Sequence, residues 1–217
     1  MMNRIKLFLS SLPLMLASCD AHFDFPDTSV HVGDIICTDG DILRYEDWRH
    51  SGKEAVAVVF HLNGDESVEG TGYGVYLHDL ESVCFADTCG FRQNTSCSLM
   101  EEDGNLNTYR IMEADDCSSE LADAVFDLWA YGQSAYIPSV AQMRILFQAK
   151  EHVNTSIARL GGDLLPDDAD SCWYWTYTVV EGQSDMKAWL FSTGSGVIQE
   201  TPKMQPHKAR PVITINY

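Results

Sequence analysis

"CWYWTYTVV", residues 172 to 180, places aromatic side chains at Trp173, Tyr174, Trp175 and Tyr177. The two-residue period of a strand sends Trp173, Trp175, Tyr177 and Val179 to one side, and Tyr174, Thr176, Thr178 and Val180 to the other. One aromatic side belongs to a core. The second is either more core or a surface that grips something. A regular strand keeps Trp173 and Tyr177 on the side of Trp175; a bulge would separate them.

The neighbouring segments extend the β reading. "KAWLFST" (187–193), "GVIQE" and "ARPVITI" (209–215) are strand-like, with a turn through Gly194 and Gly196. Near the other end, "VGDIICT" (32–38) leads into a turn at Asp39-Gly40. "AVAVVFHL" (55–62) is nearly all apolar, as a strand buried on both faces should be, and "YGVYLHDL" (73–80) is its hairpin partner.

Two helices are expected between these β regions. Ser118 and Ser119 cap a helix with Leu121, Val125, Leu128 and Trp129 on one stripe, closed by Gly132. Ser139 and Gln142 form a capping box for a second helix, whose stripe is Met143, Leu146 and Phe147. It continues through Ile157 and Leu160 to a stop at Gly161-Gly162. Strands, helices, then strands again, without β-α-β alternation, predict an α+β fold rather than a doubly wound sheet. A final strand returning to an early one would bring the two ends of the domain together.

The chain has 217 residues, 45% of them hydrophobic, and a formal net charge of -18. That supports one domain with a substantial core, and such an acidic chain repels phosphate backbones, which makes nucleic acid a poor partner, and none is expected. Residues 1 to 18 read as a secretory signal: Arg4 and Lys6, then the apolar run "LFLSSLPLMLAS". Leu16-Ala17-Ser18-Cys19 resembles the lipobox of bacterial lipoproteins, which makes Cys19 the lipid attachment site and residues 19–31 a short tether. Loss of Arg4 and Lys6 takes the charge from -18 to -20. After the leader, no apolar run approaches the roughly 20 residues that span a bilayer. The expected location is the cell envelope, lipid-anchored at the outer membrane or cell surface, with the body of the domain at 32–217.

Six further cysteines, Cys37, Cys84, Cys89, Cys97, Cys117 and Cys172, suit disulfides in an exported protein, in any of about 15 pairings. Zinc at Cys84, Cys89 and Cys97 is the competing reading, without a CxxC knuckle to favour it.

The order of landmarks resembles a family of exported bacterial domains, the DUF1566-like or Fibrobacter-succinogenes-major-paralogous domains. "AVAVVFHLNGDESVEGTGYGVYLHDL" resembles the family's opening hairpin and "DGNLNTYRIM" (103–112) its Asn-Thr segment. "AYIPSVAQMRILF" is similar to its helix start and "IARLGGDLL" to the Gly-Gly that follows. "YWTYTV", "KAWLFSTGSG" and "KARPVITI" resemble its closing strands. Gln142 and Tyr136 depart from the residues usual at their places. The resemblance implies a C-type-lectin-like fold: two helices flanking a small twisted, mostly antiparallel sheet, with a loop-rich second sheet carrying a ligand face. It places Trp175 and Trp189 at the family's structural tryptophans.

For function, the implied reading is non-catalytic binding of an extracellular glycan or protein. Residues 165 to 205 carry it, with Trp173, Tyr177, Asp185, Trp189 and Lys203 as candidate ligand-binding residues. The alternative is a structural subunit of a fimbria or envelope assembly, recognised through sheet edges. Neither lectin calcium triplet is present, and "DDAD" (167–170) lacks the Gly and distal Glu of an EF-hand loop, so no metal or cofactor is expected. The seven histidines show no HExxH and no nucleophile–base spacing, and only Cys172 lies near the closing strands, so the formylglycine-generating relatives' cysteine pair is missing there and an enzyme is the weakest reading. His61 and His78 are placed to face each other across the hairpin. In the basic stretch "KMQPHKAR" (203–210), Arg210 is expected to pair with the domain's own acids.

Overall fold

A computed structural model describes residues 27–64, 71–86, 95–115, 118–130 and 133–216. Cys19, the leader, Cys89 and Cys117 lie outside the described residues. The fold is α+β: the described residues form four helices and two five-stranded sheets, with one further two-stranded ladder.

The first sheet has the order β12 (Val212–Ile215), β4 (Gly72–Tyr76), β3 (Ala55–Leu62), β1 (Ile35–Cys37), β2 (Ile42–Leu43), all antiparallel. β3 covers the "AVAVVFHL" run without remainder, and it is buried on both faces as its composition requires. The Asp39-Gly40 turn joins β1 to β2, with Gly40 at φ 93° and its N–H donated to Cys37 O at 3.0 Å. The last strand pairs with the early strand β4, as expected, but it forms the edge opposite β2; β4 and β3 stand between it and β1, so the two ends of the domain share one sheet without meeting.

The second sheet has the order β10 (Ile198–Pro202), β9 (Lys187–Ser192), β8 (Trp173–Val179), β11 (His207–Ala209), β5 (Leu80–Val83). It is antiparallel except where β11 runs parallel to β8. The single strand expected at 209–215 is therefore two, one in each sheet. Arg210 and Pro211 separate them, and proline, having no N–H, interrupts a ladder at that point.

The longest helix, α4 (Val140–Leu160), has the expected capping box: Ser139 Oγ accepts from Gln142 N, and Gln142 Oε1 from Ser139 N at 3.0 Å. Gly161, left-handed at φ 74°, closes it. Met143, Leu146, Val153 and Ile157 pack on one face of the first sheet, against Val58, Phe60 and Val75. The other face, with Ala57, Val59 and Ile213, meets Trp175, Tyr177, Val179 and Leu190 of the second sheet, together with helices α2 (Gly104–Met112) and α3 (Glu120–Phe126). Ser119 caps α3 as expected, by accepting from Ala122 N at 3.1 Å. The helix ends sooner than its apolar stripe suggests, because Trp129–Ala130 (β6) turns back onto Gln133–Ser134 (β7). Two helices were not apparent in the sequence: α2 and the short α1 (Tyr45–Ser51).

Candidate interaction surface

The period-two reading of 172–180 holds, and it buries both sides. Trp175, Tyr177 and Val179 enter the core shared with the first sheet, and Tyr174 enters the core beneath α4. Trp175 donates its indole N–H to Val83 O at 3.2 Å and meets Phe85 and His207 edge-on, each at 5.4 Å. Tyr177 lies 4.7 Å from Phe85, its hydroxyl 3.1 Å from Ser119 Oγ. A buried phenol with a hydrogen-bonded tip is a packing residue. Tyr177 therefore does not belong to an exposed ligand face.

Lys203 moves inward for a related reason. Its residue is only 2% exposed, with the ammonium 4.9 Å over the Phe85 ring. Its backbone bridges two segments, Lys203 N donating to Met186 O and Phe85 N to Lys203 O, both at 2.9 Å. The long apolar stem packs while the charge rests on a ring face.

The three remaining candidates are half-buried: Trp173, Asp185 and Trp189. Asp185 sits in the turn between β8 and β9, where Gln183 O accepts from both Met186 N and Lys187 N. Trp173 packs on the Trp175 side of the sheet. Trp189 precedes Leu190, which faces that core, so alternation sends the Trp189 ring to the opposite face. The two half-exposed rings form no common platform.

The charged groups near this sheet are engaged in holding the fold. Fully buried Arg210 donates Nε–H to Asp79 Oδ1 at 2.6 Å, Nη1–H to Tyr76 O and Leu77 O, and Nη2–H to Asp163 O at 2.7 Å. Lys208 Nζ and the Tyr174 hydroxyl donate to Asp79 Oδ2 at 3.0 and 3.1 Å. Burial, with the nearby Asp79 carboxylate, raises the Tyr174 phenol well above its usual range. Arg210 thus pairs with the domain's own acid, as expected. Lys150, on the inner stripe of α4, similarly donates to Pro166 O and Thr193 O and pairs with Asp167. That contact and the Asp168–Ser171 bonds organise the "DDAD" loop. Among the described residues, no group of three acids, histidines or cysteines is placed to hold a metal ion.

His61 and His78 do not face each other. His61 stacks on Tyr73, its cross-strand neighbour, at 5.8 Å, while His78 Nδ1 lies 3.2 Å from Asp163 Oδ2. The four described cysteines, Cys37, Cys84, Cys97 and Cys172, are free thiols, so the expected disulfide framework is not formed among them. Cys37 is enclosed in the first sheet, and Cys172 contacts Ser192 Oγ at 3.1 Å. Burial raises the Cys37 and Cys97 thiols, which disfavours their thiolate forms.

Among the described residues, β10 is an open edge strand, paired on one side only. Its register with β9 is continuous from Ile198↔Phe191 to Pro202↔Lys187. Ser192 N bonds Val197 O at one end, and Lys203 N bonds Met186 O at the other. Odd-numbered residues therefore bond β9, and the backbone groups of Ile198 and Glu200 point away from the sheet. The other edges are shorter or covered. β2 has two residues, Tyr136 bridges Val212 of β12, and α3 packs on β5.

Comparison with known proteins places this architecture. No family model matches the chain, and no curated protein matches it. Among solved structures, it superposes on a fimbrial protein from Bacteroides ovatus ATCC 8483 with a TM-score of 0.60 at 14% identity. The match covers 85% of this chain and 48% of the other. The chain thus spans about half the length of that fimbrial protein. At this identity the likeness is one of fold.

Proposed function

We propose that the chain is a non-catalytic, fimbria-type component of the bacterial cell envelope. In this reading it is a DUF1566-like, C-type-lectin-like domain held to the outer membrane or cell surface by lipid at Cys19, and it assembles with an envelope partner through β10. The open β10 edge carries the proposal. An added strand would gain main-chain bonds at Ile198 and Glu200, and Pro202, which has no N–H, would end the pairing. The fold likeness to a fimbrial protein supports the same reading. Binding of a flat glycan across stacked rings is less favoured, because Tyr177 is buried and the Trp173 and Trp189 rings lie on opposite faces.

Glu200→Pro tests this directly. The Glu200 N–H points away from β9, so the substitution removes an edge donor and leaves the β9 ladder its bonds. Envelope fractions should show the variant exported and folded, yet lost from the high-mass assemblies that retain the original chain. Unchanged co-fractionation of a folded Glu200→Pro variant would rule out assembly through this edge.

A further inference from the structure

An open cleft of about 790 Å³ lies between residues 31–34, the start of α1 and the last turns of α4. Its floor is fixed backbone. Gly33 N donates to Val59 O at 2.8 Å, Val59 N to Asp34 O at 2.9 Å, and Ser156 Oγ to Gly33 O at 2.8 Å. Gly33 has φ 94°, and a Cβ there would stand 2.5 Å from His152 Nε2, so the imidazole rests directly on this peptide. One side of α4 supplies His152, Ser156 and Arg159, spaced by four and three residues, which places them in a row.

The charges in this cleft are unevenly satisfied. Arg44 pairs with Asp27 at 2.6 Å, and His31 lies between Asp27 and Asp34 at 3.3 and 3.8 Å. The Arg159 guanidinium instead sits 5.0 Å over the Tyr45 ring, and among the described residues no carboxylate pairs with it. His152 likewise makes no hydrogen bond to another described residue. In a chain of formal charge -18, this is an exposed cation with no carboxylate partner among the described residues, at the wall of an open cleft. The volume lies within the roughly 300–1,000 Å³ usual for small-molecule sites.

We propose that this cleft binds an acidic saccharide of the uronic-acid type. The ligand carboxylate would take the Arg159 guanidinium as a two-pronged donor, with His152 beside it. Ring hydroxyls would donate to Asp34 and to the remaining lone pairs of Ser156 Oγ. The mixture of donor and acceptor walls decides the class: a sulfate has no protons for Asp34 and Ser156, a phosphate at neutral pH offers fewer O–H donors than a sugar ring, and a neutral sugar leaves Arg159 unused. This site is separate from the β10 edge and goes beyond the assembly reading.

Titration of the full chain with methyl β-glucuronide, methyl β-glucoside, inorganic phosphate and a short poly-glutamate peptide tests the assignment by calorimetry and amide NMR. The glucuronide should bind and shift the amides of residues 31–34 and 152–159. Arg159→Gln should weaken it at least tenfold with no change in Tm, and His152→Ala should weaken it less. Glu200→Pro should leave it intact, which keeps the two proposals distinguishable. Equal binding of the glucoside, phosphate or the acidic peptide would overturn the assignment, as would absent glucuronide binding or unaltered affinity in a folded Arg159→Gln or His152→Ala protein.

Discussion

β3 and β8 are both central strands buried on both faces, and they reach that state by opposite chemistry. β3 is a continuous aliphatic run, with Ala57 and Val59 packed to one side and Val58 and Phe60 to the other. β8 alternates rings with threonines. Thr176 donates its hydroxyl to Trp189 O at 2.8 Å, and Thr178 accepts from Val140 N at 3.0 Å, so the polar positions are consumed by main chain. A threonine hydroxyl can satisfy an internal backbone group as well as it can face water. Ring–threonine alternation therefore resembles a half-exposed strand in sequence and is a two-sided core strand in this fold.

The largest expected effect follows from that contrast. Trp175→Ala should cost about 3–5 kcal/mol, by cavity formation and loss of the Val83 hydrogen bond. Trp189→Ala, on a half-exposed ring, should cost about 1 kcal/mol or less. Denaturant midpoints would measure both, and equal losses would break the distinction between the two tryptophans. Next comes Arg210→Ala, which leaves Asp79 without its guanidinium and removes a donor from each of the Tyr76, Leu77 and Asp163 carbonyls. A loss of about 3 kcal/mol is expected, and adding Asp79→Asn should recover part of it. A smaller loss than for Ser139→Ala would show that the charged seam between the sheets contributes little.

Ser139→Ala removes the reciprocal cap of α4 and should cost about 1 kcal/mol, read as a drop of several degrees in Tm. The smallest change concerns pH. Burial, then the neighbouring Glu101, raises the Asp103 carboxyl at the start of α2 above its usual range. A raised acid contributes stability below its unfolded pKa, and this is lost as pH rises through the folded pKa. Asp103→Asn should therefore be slightly more stable than the original chain at pH 7, with the gap closing near pH 3. A constant gap across that window would remove the titration of Asp103 as its cause.

Much of the first sheet and of α4 could be read directly from the chain. The β3 run, the Asp39-Gly40 turn, the Ser139–Gln142 box and the Gly161 stop all act within a few residues of themselves. The candidate site was harder to read. Trp173, Asp185 and Trp189 keep partial exposure, whereas Tyr177 and Lys203 are enclosed by Phe85, which is some 90 or more positions earlier in the chain. α2 escaped notice because its buried side presents Gly104, Asn107 and Thr108 beside Ile111, a face with little apolar periodicity. His152, Ser156 and Arg159 do sit at helical spacing, but only the approach of Gly33 and Tyr45 makes a cleft of them.

By itself, the sequence determined an acidic α+β chain with an aliphatic central strand, a long doubly capped helix and a closing set of strands, because propensity, capping and turn chemistry are local. Only the tertiary structure decided which aromatic faces close, that Lys150, Lys203 and Arg210 turn inward, and that the last stretch divides between two sheets at Arg210-Pro211. Those outcomes depend on which distant carbonyls, rings and carboxylates arrive to satisfy a buried charge or cover a ring. No local pattern encodes that arrival.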